Sequence, residues 1–272
     1  MRLQDYLDRI GFTGTPRVDL ETLLALHRAH QLTVPFENLD VQLRRPVSLE
    51  IEPNYAKVVE RRRGGWCYEL NCVMGWALRE IGFDVIRMSA GVARDRAGDF
   101  NLGNHLCLLV RLDGEPYLFD VGFGGSLIQP LPLRAESRED SPYRVSLREM
   151  PLGYWRFSEQ TAGGEPFSFD FRIGPADETL FARKCAYLQS DPMSGFVQSL
   201  VVQRRTADTH VSLRGRVLAI YRATGVEKTL LHSADEFVTT LRDRFDLNVP
   251  EASTLWPRIV ARHDELFGTE AS

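Results

Sequence analysis

The 272-residue sequence contains no run of about 18 consecutive apolar residues, the length a helix needs to cross a bilayer. It opens on Met1-Arg2-Leu3-Gln4-Asp5-Tyr6, without the basic-then-apolar layout of a secretory leader. Cysteine is scarce. Cys67, Cys72, Cys107 and Cys185 are too few and too scattered to staple a chain of this length. Cys67 and Cys72 stand five apart and His105 and Cys107 two apart, so the spacing of a zinc site is missing and no metal is expected. Positive charge is not in excess either. Lys and Arg number 33 against 37 Asp and Glu, a net charge of -4 that lacks the basic footprint of a nucleic-acid binder. Internal repeats and low-complexity tracts are absent. What is present is an ordinary globular composition, 43% apolar and 26% charged, enough for a real core. These features together lead us to expect a cytoplasmic protein without a membrane or nucleic-acid partner.

The first part of the chain reads as helical. Leu20, Leu23, Leu24 and His27 share a stripe, Asp19 can cap it, and Pro35 ends it. Val34 to Asp40 reads as an ordered loop. Leu70, Val73, Met74, Ala77, Leu78 and Ile81 define a second helix that begins near Cys67 and stops at Gly82. From Val85 the period changes to that of strands: 85–92, 105–112, 117–121, 154–157 and 167–173. The segment 131–148, rich in Pro, Arg, Ser and Glu, reads as a surface excursion. Short strands return at 198–204, 210–213, 216–221 and 228–231, and Ser233-Ala234-Asp235-Glu236 opens a helix with a capping-box pattern. Helices, then strands, then a mixed end is α+β layering. We expect three parts: residues 1–84 helical, 85–195 β-barrel-like, and 196–272 a small α/β piece.

Three residues of this pattern can be placed together. In Arg63-Gly64-Gly65-Trp66-Cys67-Tyr68-Glu69 the glycines allow backbone conformations closed to other residues, and Cys67 stands in the first helical turn. Helix N-termini present free N–H groups and partial positive charge, which favour thiolate and can hold an oxyanion. Cys72 lies about 140° around the same helix and does not share that position. Further on, Asp113-Gly114 is a hairpin signal between two apolar runs. A two-residue loop sets Leu112 opposite Glu115, hence Cys107 opposite Asp120 and His105 opposite Gly122. His105 and Asp120 then project from one sheet face as diagonal neighbours, close enough for a hydrogen bond. A one-residue slip would put them on opposite faces. A carboxylate on one ring nitrogen fixes the histidine tautomer and leaves the other nitrogen for a thiol. Each residue has a plainer structural reading on its own; together they point to a Cys-His-Asp triad.

At these residues the sequence resembles the arylamine N-acetyltransferases, along nearly its whole length. Four motifs carry the resemblance: Tyr6-Leu7-Asp8-Arg9-Ile10-Gly11; His27…His30 with Val34-Pro35-Phe36-Glu37-Asn38-Leu39; Arg63-Gly64-Gly65-Trp66-Cys67-Tyr68-Glu69; and Asp120-Val121-Gly122-Phe123-Gly124. The compact C-terminal end is similar to that of the bacterial members. The resemblance implies an α+β fold: an N-terminal helical bundle, a central antiparallel β-barrel and a C-terminal α/β lid, with a core like that of papain-type enzymes and transglutaminases. It implies acetyl transfer from acetyl-CoA, as co-substrate, to arylamines, arylhydrazines or N-hydroxyarylamines. Cys67 would be the acetylated nucleophile, His105 its base and Asp120 the orienting carboxylate. Phe36 and Phe123 match acceptor-pocket positions; Val92, Phe123 and Gly124 match part of the coenzyme cleft. Where some members carry Thr-Gly before the histidine, this chain has Asn101-Leu102-Gly103-Asn104. The rival readings are a cysteine hydrolase with the same triad and a non-catalytic binding protein with an unreactive Cys67. Arg61-Arg62-Arg63 reads as a solvated charge run with one structural arginine, and His27 and His30 as a hydrogen-bonded pair near a domain junction.

Overall fold

The computed structural model describes residues 1–268. Helices come first: α1 (Leu3–Ile10), α2 (Leu20–Thr33), then a short strand β1 (Phe36–Glu37), α3 (Leu39–Gln42), α4 (Ile51–Tyr55), a π-helical turn at Ala56–Glu60, and the long α5 (Cys67–Ile81). The side chain of Asp19 accepts from Thr22 N–H at 2.8 Å and caps α2 as expected. The buried stripe of α2 differs from the sequence reading. It runs Leu23, Leu26, His27, His30, while Leu20 is exposed. The helix is turned so that its polar His27, His30 and Gln31 find buried hydrogen-bond partners. α5 buries Leu70, Val73, Met74, Ala77 and Leu78, and Gly82 (φ 111°) closes it with N–H bonds to the Leu78 and Arg79 carbonyls.

Next come β2 (Asp84–Val92), α6 (Arg94–Ala97), β3 (His105–Leu112), β4 (Glu115–Phe119), β5 (Leu131–Pro132), β6 (Glu136–Asp140), β7 (Tyr143–Met150), β8 (Tyr154–Thr161) and β9 (Phe167–Arg172). They form one antiparallel sheet in the order β5-β4-β3-β2-β9-β8-β7-β6. Leu118 and Leu131 from one end share a core with Tyr143, Val145 and Leu147 from the other, around Phe157 and Phe169. The sheet therefore curls into a half-barrel, open between its edge strands β5 and β6. β3 is buried on both faces: Leu108 and Val110 pack on the helical bundle, Cys107 and Leu109 inside the half-barrel. That explains its unbroken apolar run.

After α7 (Glu178–Ser190) and α8 (Gly195–Gln198), a second sheet joins β1 to β10 (Val201–Arg205), β11 (His210–Arg214), β12 (Val217–Arg222) and β13 (Gly225–Leu230). With α9 (Ala234–Phe245) and α10 (Trp256–Phe267) it makes the α/β lid. Among the described residues no helix is long and apolar enough to cross a membrane.

Three expectations are corrected. The supposed surface excursion at 131–148 holds β5, β6 and most of β7; its polar residues are the solvated outer face, and Tyr143, Val145 and Leu147 alternate inward. The loop at 34–40 contains β1, which pairs Phe36 with Gln203 and Glu37 with Val202, partners too distant in sequence to be read locally. At the start of α9, Ser233 accepts from Glu236 N–H as expected, but the Glu236 carboxylate takes the N–H of His232 rather than that of the cap residue. Helix α7, capped by Asp177 and buried along Phe181, Cys185 and Leu188, was not anticipated.

Three histidines are buried in neutral form. Burial holds His27 down at about 4, His210 at about 3, and His30 well below its ordinary value. An unfolded chain would protonate all three below about 6.5. Stability from these groups is complete above that pH and is lost as pH falls toward 4. At about 1.4 kcal/mol per unit, His27 alone accounts for about 3 kcal/mol. Thermal unfolding followed between pH 7 and 4 should show a steep fall in Tm; a flat profile would contradict neutral burial.

Candidate active site

The loop carrying Cys67 is pressed against β1. Glu37 N–H donates to the Gly65 carbonyl at 2.9 Å, and Gly65 N–H to the Pro35 carbonyl at 3.3 Å. A Cβ on Gly64 would lie 2.2 Å from the Pro35 oxygen, and one on Gly65 2.8 Å from Glu69 Oε2. Neither glycine has a positive φ. They serve close packing within the protein rather than the unusual dihedrals expected from the sequence. Under the loop lie five buried charged groups. Lys57 Nζ donates to Glu69 Oε1 at 2.8 Å and stands 2.9 Å from Asp40; Arg63 Nη2 donates to Glu37 at 2.8 Å and to Asp40 at 3.3 Å. Glu69 Oε2 also accepts from Trp66 N–H at 3.1 Å, tying the first turn of α5 together. Burial raises the Glu69 carboxyl even with Lys57 beside it. Arg63 is thus the structural arginine of its run, and Arg61 and Arg62 are exposed.

The hairpin keeps the two-residue register. Asp113 (φ 51°) and Gly114 (φ 83°) form the turn, Leu112 pairs with Glu115 and Leu108 with Phe119. His105 begins β3 and Asp120 lies one residue past β4, and both project into the half-barrel. His105 Nε2 meets Asp120 Oδ2 at 2.7 Å, with both side chains almost wholly buried. The same ring also hydrogen-bonds Cys67. Burial alone would push the imidazole down; the charge and hydrogen bond of Asp120, with the contribution of Cys67, outweigh it and raise His105 to about 10. The ring is therefore protonated at neutral pH. Cys67 occupies the first position of α5, its Sγ 3.9 Å from the Asn104 carbonyl.

The supports of Asp120 escaped the sequence reading. Asn71, one turn beyond Cys67 on α5, donates to Asp120 Oδ1 at 2.8 Å and to the Leu106 carbonyl at 2.7 Å, and its own oxygen accepts from Val121 N–H at 3.0 Å. Gly122 N–H adds a 2.7 Å bond to Oδ1. From α2, His27 Nε2–H and Gln31 each donate to the Asp120 carbonyl at 3.1 Å. His30 instead pairs with the Tyr6 hydroxyl at 2.8 Å. The i, i+4 spacing of Cys67 and Asn71 was the available signal.

A Cβ on Gly122 would stand 2.6 Å from Cys67 Cα and 2.6 Å from Asn71 Nδ2. Gly122→Ala should thus shift Cys67 against His105, and a displacement approaching 1 Å would cost roughly 100-fold in turnover. Steady-state kinetics on folded variant, checked by circular dichroism, would measure this; wild-type turnover would show that the turn yields without moving Cys67.

Of the other matched positions, Phe123 lies edge-on to His105 at 5.4 Å and belongs to an aromatic wall with Phe157, Phe167 and Phe169. Val92 binds Asn104 Oδ1 through its N–H at 2.8 Å, and its carbonyl accepts from Asn101 at 2.7 Å. The two asparagines of the departing motif thereby hold the loop beside Cys67. Gly124 (φ 97°) lies so close to Gln203 that a Cβ would be 2.2 Å from its Oε1. Phe36 packs on Phe196, which also contacts Trp66, and lies against the cluster that holds Trp66 and Cys67. The other thiols are unlike nucleophiles: burial raises Cys72, Cys107 and, to about 12, Cys185. Among the described residues no three His, Cys, Asp or Glu side chains are grouped to hold a metal ion.

The comparisons with known proteins agree with this architecture. The sequence model of the family described as N-acetyltransferase matches residues 19–254. An arylamine N-acetyltransferase of Mycolicibacterium smegmatis is 38% identical, over 92% of this chain and 93% of its own. Arylamine N-acetyltransferase 1 of Homo sapiens is 29% identical, over 99% and 100%. The structure of the Mycobacterium marinum arylamine N-acetyltransferase in complex with CoA superposes with a TM-score of 0.86 at 33% identity, covering 97% of this chain and 99% of that one. Sequence and fold agree over almost the whole length, and the chain belongs to the arylamine N-acetyltransferase family.

Proposed function

We propose that this acetyltransferase moves an acetyl group from acetyl-CoA to the nitrogen of an arylamine, arylhydrazine or N-hydroxyarylamine through an acetyl-Cys67 intermediate. The observation that carries the reading is His105, held 2.7 Å from Asp120 Oδ2 with Cys67 at the same ring. A fixed imidazolium beside Cys67 stabilises the negative charge carried by the reacting sulfur, and the helix terminus adds to it. The sulfur attacks the thioester carbonyl, a new C–S bond forms, and the old one breaks. The departing CoA thiolate takes the proton from His105. Exchange of one thioester for another costs little free energy. The amine nitrogen then attacks acetyl-Cys67, the C–S bond breaks, and His105 receives the amine proton, restoring the ion pair. An aromatic amine suits this step because its weak basicity leaves it unprotonated at neutral pH. Both substrates use one nucleophile in turn, so kinetics should be ping-pong. In this scheme the part spanning 1–84 supplies Cys67, the part spanning 85–195 supplies His105, Asp120, Val92, Phe123 and Gly124, and 196–272 closes over them; Phe36 would line the acceptor side.

The test separates transferase from hydrolase. The protein is incubated with acetyl-CoA, with and without aniline, while free thiol and intact protein mass are followed. Amine-dependent release of CoA, with an acetyl-sized mass gain when amine is withheld, supports the reading. Sustained release without amine favours the hydrolase.

A further inference from the structure

The bend Asn101-Leu102-Gly103-Asn104 takes no part in the acyl-transfer scheme, yet it is tied to β2, α5 and α7 at once. Asn104 N–H donates to the Asn101 carbonyl at 3.1 Å, and Gly103 N–H to the Ala90 carbonyl at 3.0 Å. The Asn101 side chain donates to the Val92 carbonyl at 2.7 Å, and Asn104 Oδ1 accepts the Val92 N–H at 2.8 Å. The hydroxyl of Tyr68, the residue after Cys67, donates to the Gly103 carbonyl. From α7, Lys184 donates to the Phe100 carbonyl, and Leu180 packs so close that a Cβ on Gly103 would lie 2.5 Å from its Cγ. Connecting segments are ordinarily the looser parts of a fold. This one is fixed to the helix of the nucleophile and to two further elements.

What the bend fixes is a carbonyl. The Asn104 oxygen lies 3.9 Å from Cys67 Sγ, and the next residue is His105. Nε2 of that ring faces Asp120, so Nδ1 is the nitrogen left for Cys67. Two acceptors from neighbouring residues therefore flank the sulfur. Nδ1 can keep a proton; the carbonyl oxygen can accept a hydrogen bond but not keep the proton. A thiol at Cys67 donates to this oxygen. Once an acetyl group has replaced the thiol hydrogen, the oxygen has lost that donor, and Cys67 and His105 beside it are only 3% and 2% exposed. An acceptor so placed favours a guest that brings an N–H. A primary aromatic amine attacking the acetyl carbon brings two.

We propose that the Asn104 carbonyl aims the attacking amine, accepting one N–H while His105 takes the other hydrogen, and that the side chains of Asn101 and Asn104 are the positioning groups that hold it there. The nitrogen lone pair forms the C–N bond, the C–S bond breaks with its electron pair returning to Cys67, and His105 receives one proton. The second hydrogen stays on the nitrogen of the product amide, still bonded to the Asn104 oxygen. The proposal rests on the acyl-transfer reading above and adds which group orients the second substrate.

Rapid mixing times the two half-reactions separately. Acetylation uses 4-nitrophenyl acetate, a donor with no N–H, and is read as release of 4-nitrophenolate. The acetyl-protein is then mixed with aniline or N-methylaniline, and loss of the acetyl mass is followed. Wild type should react with aniline at least about tenfold faster than with N-methylaniline, which has a single N–H. Asn104→Ala, and separately Asn101→Ala, should slow the aniline step about tenfold and change acetylation by less than about twofold, the pattern of a hydrogen bond made in one step only. Equal rates for the two amines in wild type, or an aniline step untouched by both substitutions, would overturn the proposal. A matching fall in both half-reactions would make the asparagines structural supports of Cys67 and would overturn it as well. Failure of the acyl-transfer reading would show earlier, as absence of acetyl-protein in the wild type.

Discussion

Replacing Cys67 with alanine is expected to reduce acetyl transfer by at least about 1,000-fold, since removal of a nucleophile disables the set of residues acting with it. The variant should show no acetyl-sized mass gain after exposure to acetyl-CoA. Cys67→Ser should behave similarly, because a hydroxyl beside the same imidazolium is far less readily ionised than a thiol. The fold should survive, since Cys67 is a small side chain at a helix start whose Sγ reaches the His105 ring and, at 3.9 Å, the Asn104 carbonyl. Intact-protein mass spectrometry and steady-state kinetics on the same preparation measure both effects. Undiminished transfer by Cys67→Ala would eliminate the covalent route and return the protein to the binding-protein alternative.

The second large effect concerns Asp120. Its carboxylate opposes the burial that would otherwise push the His105 imidazole below its ordinary value. Asp120→Asn keeps the shape, but the amide cannot stabilise a cation and can present a donor where Nε2–H now donates. A loss of roughly 10,000-fold in turnover is expected, the scale seen when a triad histidine is left in the wrong tautomer. A distinct pH signature should accompany it. In the native protein His105 titrates at about 10, above its unfolded value of 6.5. Its stabilising contribution is complete below 6.5 and is lost as pH rises through about 10. In Asp120→Asn the folded value should drop beneath 6.5, so this alkaline loss of stability should vanish. Urea unfolding at pH 8 and pH 10.5 for both proteins measures the difference. If Asp120→Asn kept turnover near wild type, Asp120 would be a structural support only.

The parts of this molecule that were readable in advance are those set by local periodicity and parity. The stripe Leu70, Val73, Met74, Ala77, Leu78 announces α5, and the Asp113-Gly114 turn with strict alternation is enough to bring His105 and Asp120 to one face. What escaped depends on partners distant in sequence. Phe36 and Glu37 become a strand only because Gln203 and Val202 lie beside them. The polar outer residues of β6 and β7 imitate a loop until the inward Tyr143, Val145 and Leu147 are seen sharing a core with Leu118. At the site, the triad residues declare themselves through their chemistry. Asn71, His27 and Gln31 do not, because an asparagine on a helix and a histidine near a junction have plain alternatives. Their role becomes visible only when Asp120 is seen receiving all three.

The Asp113-Gly114 turn lies about 25 Å from His105 along β3, at roughly 3.4 Å per residue. It touches neither substrate nor catalytic group, yet it fixes the parity that lets residues 105 and 120 meet. At the level of the gene, one added or deleted codon in this surface bend would turn every later side chain of the hairpin inside out. Length drift here should be survivable only in even steps, or with a bulge that restores the count. A segment that looks free to vary is, in this respect, among the most constrained in the protein.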